Sequence, residues 1–101
     1  MDEQEKVADF IDEHDLNGRA EFRILDLVSE VGEVAKDASK STGYGERPED
    51  IEIKKDEIGD VLFSLLALAE SLDIDSDEAL KMAIEKYESR IETKGSPDSV
   101  D

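Results

Sequence analysis

The chain has 101 residues, 38% of them hydrophobic and none of them cysteine, which fits one small domain and excludes disulfides and thiolate metal sites. Its 29 acidic and 12 basic residues give a formal net charge of −17, which argues against nucleic-acid backbones and anionic membranes as partners. We expect a cytoplasmic protein, since the acidic N-terminus has no apolar h-region and the longest apolar stretch is too short to span a bilayer. A surface this acidic also predicts a halophilic source, where salt screens the self-repulsion.

Hydrophobic periodicity predicts an all-α fold, in which antiparallel helix hairpins form a four-helix, bundle-like protomer. The first helix is expected over about residues 3–16, and the second over about residues 20–40. One side of the first helix carries Val7, Phe10, Ile11 and His14. The predicted core stripe of the second helix consists of Ile24, Leu27, Val28, Val31, Ala35 and Ala38.

The third helix is expected to begin at Pro48, which suits a first helical position, and to run to about Leu72. From residue 61 to residue 69 it is apolar all round except for Ser64. A helix without a polar face is buried on all sides. Because so short a chain has little material with which to cover it, we expect a homodimer or homotetramer.

The fourth helix is expected over about residues 77–92, with Asp75 or Ser76 as its N-cap. Its predicted core stripe consists of Leu80, Ala83, Ile84, Tyr87 and Ile91. We therefore assign residues 1–92 to a single domain and residues 93–101 to a flexible C-terminal tail.

Two short acidic motifs stand out, Glu30-Val31-Gly32-Glu33 and Glu57-Ile58-Gly59-Asp60. Three-residue spacing puts both carboxylates of a motif on one face of a helix. If the second and third helices form an antiparallel hairpin, the motifs stand level, each roughly 10 Å from the loop. Four convergent oxygen ligands suit Mg²⁺, with Mn²⁺ as a substitute, and without a cation they would raise one another's pKa values.

Acidic pairs at this spacing are common in so acidic a chain, where roughly eight are expected by chance. The two motifs differ from that background because each contains a glycine at the same place. A glycine inside a helix costs about 1 kcal/mol relative to alanine, so Gly32 and Gly59 predict a close approach of the two helices. Asp26 and Asp37 extend the acidic stripe of the second helix, and we expect both to be solvated.

The two motifs and the spacer between them resemble the Glu-x-x-Glu and Glu-x-x-Asp marks of MazG-type nucleotide pyrophosphohydrolases, in the all-α NTP pyrophosphatase superfamily. The resemblance continues through the apolar run and reaches Lys86 and Arg90, which look like the family's Lys-x-x-x-Arg element. It covers about residues 22–90. Ser29 departs from the pattern, because many members carry a further glutamate there.

The resemblance implies Mg²⁺-dependent hydrolysis of a nucleoside triphosphate to the monophosphate and pyrophosphate, with nucleotide-pool house-cleaning as a role. It implies that Lys86 and Arg90 bind the substrate phosphates and that Glu33 or Glu57 is the general base. The metal ligands that it implies are Glu30, Glu33, Glu57 and Asp60.

Two alternatives stay open at this point. A phosphoribosyl-ATP pyrophosphatase would share the fold type and the product chemistry. A noncatalytic acidic helical module would leave Lys86 and Arg90 as ordinary solvated charges. The base on the nucleotide is also open, although Tyr44, between two glycines, is a candidate for touching it from a mobile loop.

Overall fold

The computed structural model describes residues 2–98, which form α-helices joined by loops and no strand. The helices are α1 (Glu3–Glu13), α2 (Ala20–Ser41), α3 (Lys55–Ser71) and α4 (Ser76–Lys94), and a short 3-10 turn spans Pro48–Asp50. The predicted all-α class is confirmed. No helix within this part of the chain is both long enough and apolar enough to cross a membrane.

Side-chain caps fix the first and last helices. The Asp2 carboxylate accepts a hydrogen bond from the Glu5 amide at 2.7 Å, and α1 ends at Glu13, earlier than predicted, because Asp15 turns into the left-handed region with φ 54°. The Asp75 carboxylate caps α4 as expected. This helix continues to Lys94, inside the predicted tail, and residues 99–101 of that tail lie outside the described residues.

The third helix begins later than the sequence predicted. Pro48 starts a separate 3-10 turn, which an ion pair between Arg47 and Asp50 closes at 3.1 Å. Residues 51–54 are not helical, and α3 starts at Lys55. The prediction failed because proline favours the start of a short turn as readily as that of a long helix.

The segment before α3 is tied back to the end of α2. The Glu52 amide donates a hydrogen bond to Ser41 Oγ at 2.9 Å. This bond holds the incoming chain against α2, and α3 then packs along α2. As a result Glu57 lies in the first turn of α3, whereas the sequence placed it about two turns into the helix.

The buried core lies between α1 and α3. Its buried apolar side chains are Val7 and Ile11 of α1 with Leu66 and Ala67 of α3. Phe10 and His14 stack at 4.5 Å between ring centroids, as expected for one side of the first helix, and Phe10 meets Phe63 edge to face at 5.7 Å.

The predicted core stripes of the second and fourth helices remain largely uncovered. No residue of α2 or α4 is buried. Val28 is 63% exposed and Leu80 is 60% exposed. The radius of gyration is 16.7 Å, against about 13 Å for a compact domain of this length. The single chain is therefore an open arrangement of helices with a small core.

The start of α4 is held at the turn that follows α3, and the rest of the helix projects. The Ser76 amide donates to Gln4 Oε1 at 2.7 Å, and Gln4 Nε2 donates to the Ile74 carbonyl at 2.8 Å. Beyond this point α4 packs along none of the other described helices. The predicted closed bundle is thus only partly formed by one chain.

Candidate active site

The two acidic motifs lie on the two helices that pack against each other, α2 and α3. Glu30 and Glu57 are half-buried, whereas Glu33 and Asp60 are exposed. Glu57 Oε2 is completely shielded from solvent and has no hydrogen-bond partner among the described residues. Leaving a carboxylate oxygen shielded from water without a hydrogen-bond partner costs free energy. A bound ligand could supply that missing partner, so Glu57 is the centre of the candidate site.

Glu57 faces Asp37, a residue that the sequence analysis placed in solvent. A hydrogen bond between the two carboxyl groups raises the pKa of Glu57 to about 7, with burial and the negative charge of Asp37 as further causes, while Lys54 lowers it in part. The expectation for Asp37 was therefore wrong, and its position one turn after Glu33 on the acidic stripe was the available signal.

The structure does not gather the four predicted ligands into one group. Within residues 2–98, no three acidic, histidine or cysteine side chains lie close enough together to hold a metal ion. Because α3 begins at Lys55, Glu57 meets Asp37 and lies one helical turn away from the level of Glu33. Glu30, Glu33 and Asp60 therefore stay predicted ligands, and Glu57 is the member of the set with a partly built environment.

The surroundings of Glu57 fit a divalent cation. The unpartnered Oε2 atom is shielded from water, and a second carboxylate lies across from it. Both carboxyl groups offer oxygen atoms, which are the ligands that hard cations prefer. A cation there would give Oε2 a partner and would replace the proton that the raised pKa of Glu57 otherwise favours.

An open cavity of about 340 Å³ adjoins Asp37, and it is lined by Asp37, Lys40, Ser41, Glu52 and Lys54. The two lysines place positive charge at the edge of an otherwise acidic surface. An ammonium group binds phosphate oxygens as a point charge. The cavity is therefore wide enough and suitably charged for one end of a phosphate chain.

The glycines of the two motifs face open space. A Cβ atom added at Gly32 or Gly59 would meet no other heavy atom within 4 Å. The predicted close approach of α2 and α3 at these positions is therefore wrong for the single chain. The two helices pack through their neighbouring side chains instead, and the glycines leave the surface beside the carboxylates free.

The basic pair of α4 is held together by an aromatic ring. The Lys86 ammonium lies 5.1 Å and the Arg90 guanidinium 5.9 Å from the centre of the Tyr87 ring, within the range of cation–π attraction. Arg90 Nη1 also donates to the Pro97 carbonyl at 3.1 Å. Since α4 does not pack along α2 or α3, one chain leaves this pair apart from the carboxylates.

The loop after α2 presents Tyr44 to solvent. Three successive residues adopt left-handed backbone angles, with φ 61° at Gly43, 58° at Tyr44 and 92° at Gly45. The Gly45 amide donates to Thr42 Oγ1 at 3.1 Å, and the Tyr44 side chain is 81% exposed. A non-glycine residue in this region of backbone space is uncommon, so the loop holds an accessible aromatic ring at the end of α2.

In a comparison with known protein families, residues 20–94 match the family described as the MazG nucleotide pyrophosphohydrolase domain. The chain belongs to the MazG family. The match begins at the first residue of α2 and ends at the last residue of α4, so it includes both acidic motifs and the basic pair, and α1 lies outside it.

One curated relative is the uncharacterized protein YpjD of Bacillus subtilis (strain 168), which is 43% identical over 68 residues. That match covers 63% of this chain and 60% of the YpjD protein, so the chain spans less than two thirds of the length of this relative. No solved structure matches the chain.

Proposed function

We propose that the protein is a Mg²⁺-dependent nucleoside triphosphate pyrophosphohydrolase that converts a triphosphate and water into the monophosphate and pyrophosphate. The observation that carries the proposal is the shielded, unpartnered oxygen of Glu57, opposite Asp37, in the second acidic motif of a MazG domain. Nucleotide-pool house-cleaning in the cytoplasm is the role that we propose for this activity.

Glu30, Glu33, Glu57 and Asp60 are the proposed ligands of Mg²⁺, for which Mn²⁺ can substitute. When bound, a divalent cation offsets phosphate charge and lowers the pKa of a water molecule. The half-buried Glu57 supplies an oxygen that water does not satisfy. The exposed Glu33 and Asp60 complete the site when substrate and cation are present.

The proposed chemistry is attack of water at the α phosphorus. A bond forms between the water oxygen and that phosphorus, and the bond from the phosphorus to the α–β bridging oxygen breaks, so that pyrophosphate leaves. A carboxylate accepts the proton of the attacking water. Glu33 and Glu57 are the two candidates for this base, which acts through a carboxylate oxygen that the cation does not engage.

Lys86 and Arg90 are the proposed phosphate-binding residues. The Tyr87 ring between them holds both cations on one surface of α4. Arginine binds a phosphate with two parallel hydrogen bonds, and both cations offset the charge that develops on the leaving pyrophosphate. Lys86 and Arg90 lie apart from the carboxylates in one chain, so they must come closer to them before both can contact one substrate.

We also propose a homodimer or homotetramer. Half-exposed apolar side chains line both α2 and α4, among them Ile24, Val28, Val31, Ile84 and Ile91. Contiguous apolar surface of this kind marks an interaction site. Self-association supplies the cover that the four buried apolar residues of one chain do not.

The experiment is a nucleotide panel with Mg²⁺ at high salt, assayed for monophosphate and pyrophosphate. The panel includes ATP, deoxynucleotides and phosphoribosyl-ATP, so that the two enzyme classes are separated. Glu57→Gln should lose activity, while Glu49→Gln, an exposed acidic position in the 3-10 turn and outside the cavity, serves as the matched control. Release of orthophosphate and the diphosphate, or no release from any substrate, would contradict the proposal.

A further inference from the structure

We propose that Gln4 of α1 is a positioning residue, which fixes the direction in which α4 leaves the turn and thereby the position of Lys86 and Arg90. This role rests on the proposed function, because it concerns the two cations that would bind the substrate phosphates. It also gives a task to α1, the helix that lies outside the residues matching the MazG domain.

The side-chain amide of Gln4 spans the turn between α3 and α4. Its Nε2 atom donates to the Ile74 carbonyl at 2.8 Å, and its Oε1 atom accepts from the Ser76 amide at 2.7 Å. Those two backbone groups flank Asp75, which is extended, with φ −78° and ψ 115°. A primary amide presents donor and acceptor side by side, so Gln4 pairs with the turn as a residue of a neighbouring strand would.

A third hydrogen bond fixes the orientation of this amide. Gln4 Nε2 also donates to Glu70 Oε1 at 3.0 Å, on the last turn of α3. The NH₂ group therefore has two acceptors and the amide oxygen has one donor. In the flipped amide the NH₂ group would face the Ser76 N–H, and two donors cannot form a hydrogen bond. Only one orientation of Gln4 thus satisfies all three contacts.

Gln4 completes the cap of α4. The first amides of a helix have no acceptor within the helix. The Asp75 carboxylate accepts from the amides of Asp77 and Glu78. The Ser76 amide is left, and its acceptor is Gln4. The first turn of α4 is therefore capped partly by its own chain segment and partly by α1, which ties the start of the helix to α1.

The length of α4 amplifies any change at this anchor. Beyond its first turn α4 packs along none of the other described helices, and the helical rise puts Arg90 roughly 21 Å from Ser76. A tilt of about 10° at Ser76 would move Arg90 by roughly 4 Å. A misplacement of about 1 Å can reduce a reaction rate about a hundredfold. The anchor itself is firm, because Val7 and Ile11 of α1 are buried against α3.

Steady-state kinetics combined with cation titration tests this role. Gln4→Ala should lower kcat/KM for the triphosphate about tenfold or more, because Lys86 and Arg90 would no longer be held in one position. The affinity for Mg²⁺, measured by titration calorimetry, should not change, since the proposed ligands lie on α2 and α3. An unchanged kcat/KM, or a loss of cation affinity as large as the loss of kcat/KM, would overturn the inference.

Ile11→Val is the matched control for stability. It removes one methylene group from the core between α1 and α3 and should lower the melting temperature. It leaves the contacts of Gln4 in place, so kcat/KM should stay at the wild-type value. If Ile11→Val lowers kcat/KM as much as Gln4→Ala does, the effect is a general loss of stability and the inference is wrong.

Gln4→Glu is the sharper variant, because it replaces only the amide nitrogen by oxygen. It keeps the acceptor for Ser76 but sets an ionised oxygen against the Ile74 carbonyl and the Glu70 carboxylate, which repel it. The value of kcat/KM should therefore fall at least as far as in Gln4→Ala, although the side-chain volume is kept. Full activity in Gln4→Glu would overturn the inference, because the shape of the side chain would then be sufficient.

If the wild type releases no product from any triphosphate, it is the proposed function that fails, and the direction of α4 is measured without activity. The chain has no cysteine, so spin labels at Asp12→Cys on α1 and Ser89→Cys on α4 report the distance between these helices by double electron–electron resonance. Labelled chains are diluted with unlabelled ones, so that only distances within one chain contribute. Gln4→Ala should broaden the distance distribution and Ile11→Val should not; an unchanged distribution in Gln4→Ala would overturn the inference.

Discussion

The carboxyl group of Glu57, in the first turn of α3, faces Asp37, near the end of α2, and hydrogen bonding with Asp37, burial and the negative charge of Asp37 raise the pKa of Glu57 to about 7. Two carboxyl groups can lie this close only if they share a proton or a cation. The pair thus joins the acidic motif of α3 to the acidic side of α2.

Cation affinity should depend on pH around neutrality. Without a cation, Glu57 keeps its proton up to a pH of about 7, and a cation has to displace it. The affinity for Mg²⁺ or Mn²⁺, measured by titration calorimetry, should therefore rise between about pH 6 and pH 8 with proton release. In Glu57→Gln the proton release should disappear; an unchanged pH dependence would remove Glu57 from the site.

The same pKa shift predicts how stability varies with pH in the absence of metal. The native chain holds the Glu57 proton up to a pH of about 7, whereas the unfolded chain releases it near 4.5. The native state thus binds more protons over this window, so the contribution of Glu57 to stability falls as pH rises from 4.5 to 7. The free energy of unfolding of wild type minus that of Glu57→Gln should decrease across the same window.

Removing the partner should bring the pKa of Glu57 back toward its ordinary value. Asp37→Ala deletes both the hydrogen-bond acceptor and the neighbouring negative charge, which are the first and third causes of the shift. The pH at which the Glu57 carboxyl titrates, followed by carboxyl-carbon NMR, should move down. Asp26→Ala, on the same helix but earlier on the acidic stripe, should leave it in place, and an equal effect of both variants would count against a specific contact.

Sequence periodicity could predict the helices but not their mutual arrangement. The positions of Val7 and Ile11 in the core and of Asp75 as a cap depend on nearby residues, so the sequence pattern contained them. The start of α3 depended on a choice between a turn and a helix at Pro48, and proline is compatible with both.

The role of Asp37 was missed for a related reason. Its neighbour Glu57 is distant in the chain, across a loop whose course the sequence pattern does not determine. Because α3 begins later than predicted, Glu57 faces Asp37 and not Glu33, which lies one helical turn earlier on α2. The predicted core stripes of α2 and α4 are not buried by a single chain, because core membership depends on which helices pack together.

The motif glycines should be dispensable for the fold of the single chain. Since an added Cβ at Gly32 meets nothing within 4 Å, Gly32→Ala should stabilise the chain by about 1 kcal/mol in denaturant unfolding through helix propensity. Gly45→Ala is the contrasting variant, because φ is 92° there and alanine would be strained. A destabilised Gly32→Ala would mean that another helix approaches at this position.

Stability should rise with salt. The net charge of −17 on 101 residues makes the folded chain repel itself, and salt screens that repulsion. The melting temperature should increase from low to molar KCl, with sodium chloride at equal ionic strength as a control for simple screening. A melting temperature that did not change with salt would argue against a halophilic source.

Hydrolysis at the α phosphorus of a nucleoside triphosphate is tested most directly by following the oxygen atom that comes from water. Wild-type protein is incubated with a triphosphate and Mg²⁺ in H₂¹⁸O, and the products are separated and weighed by mass spectrometry. We expect one ¹⁸O atom in the nucleoside monophosphate and none in pyrophosphate. Label in the pyrophosphate, or release of orthophosphate and the diphosphate, would contradict that expectation.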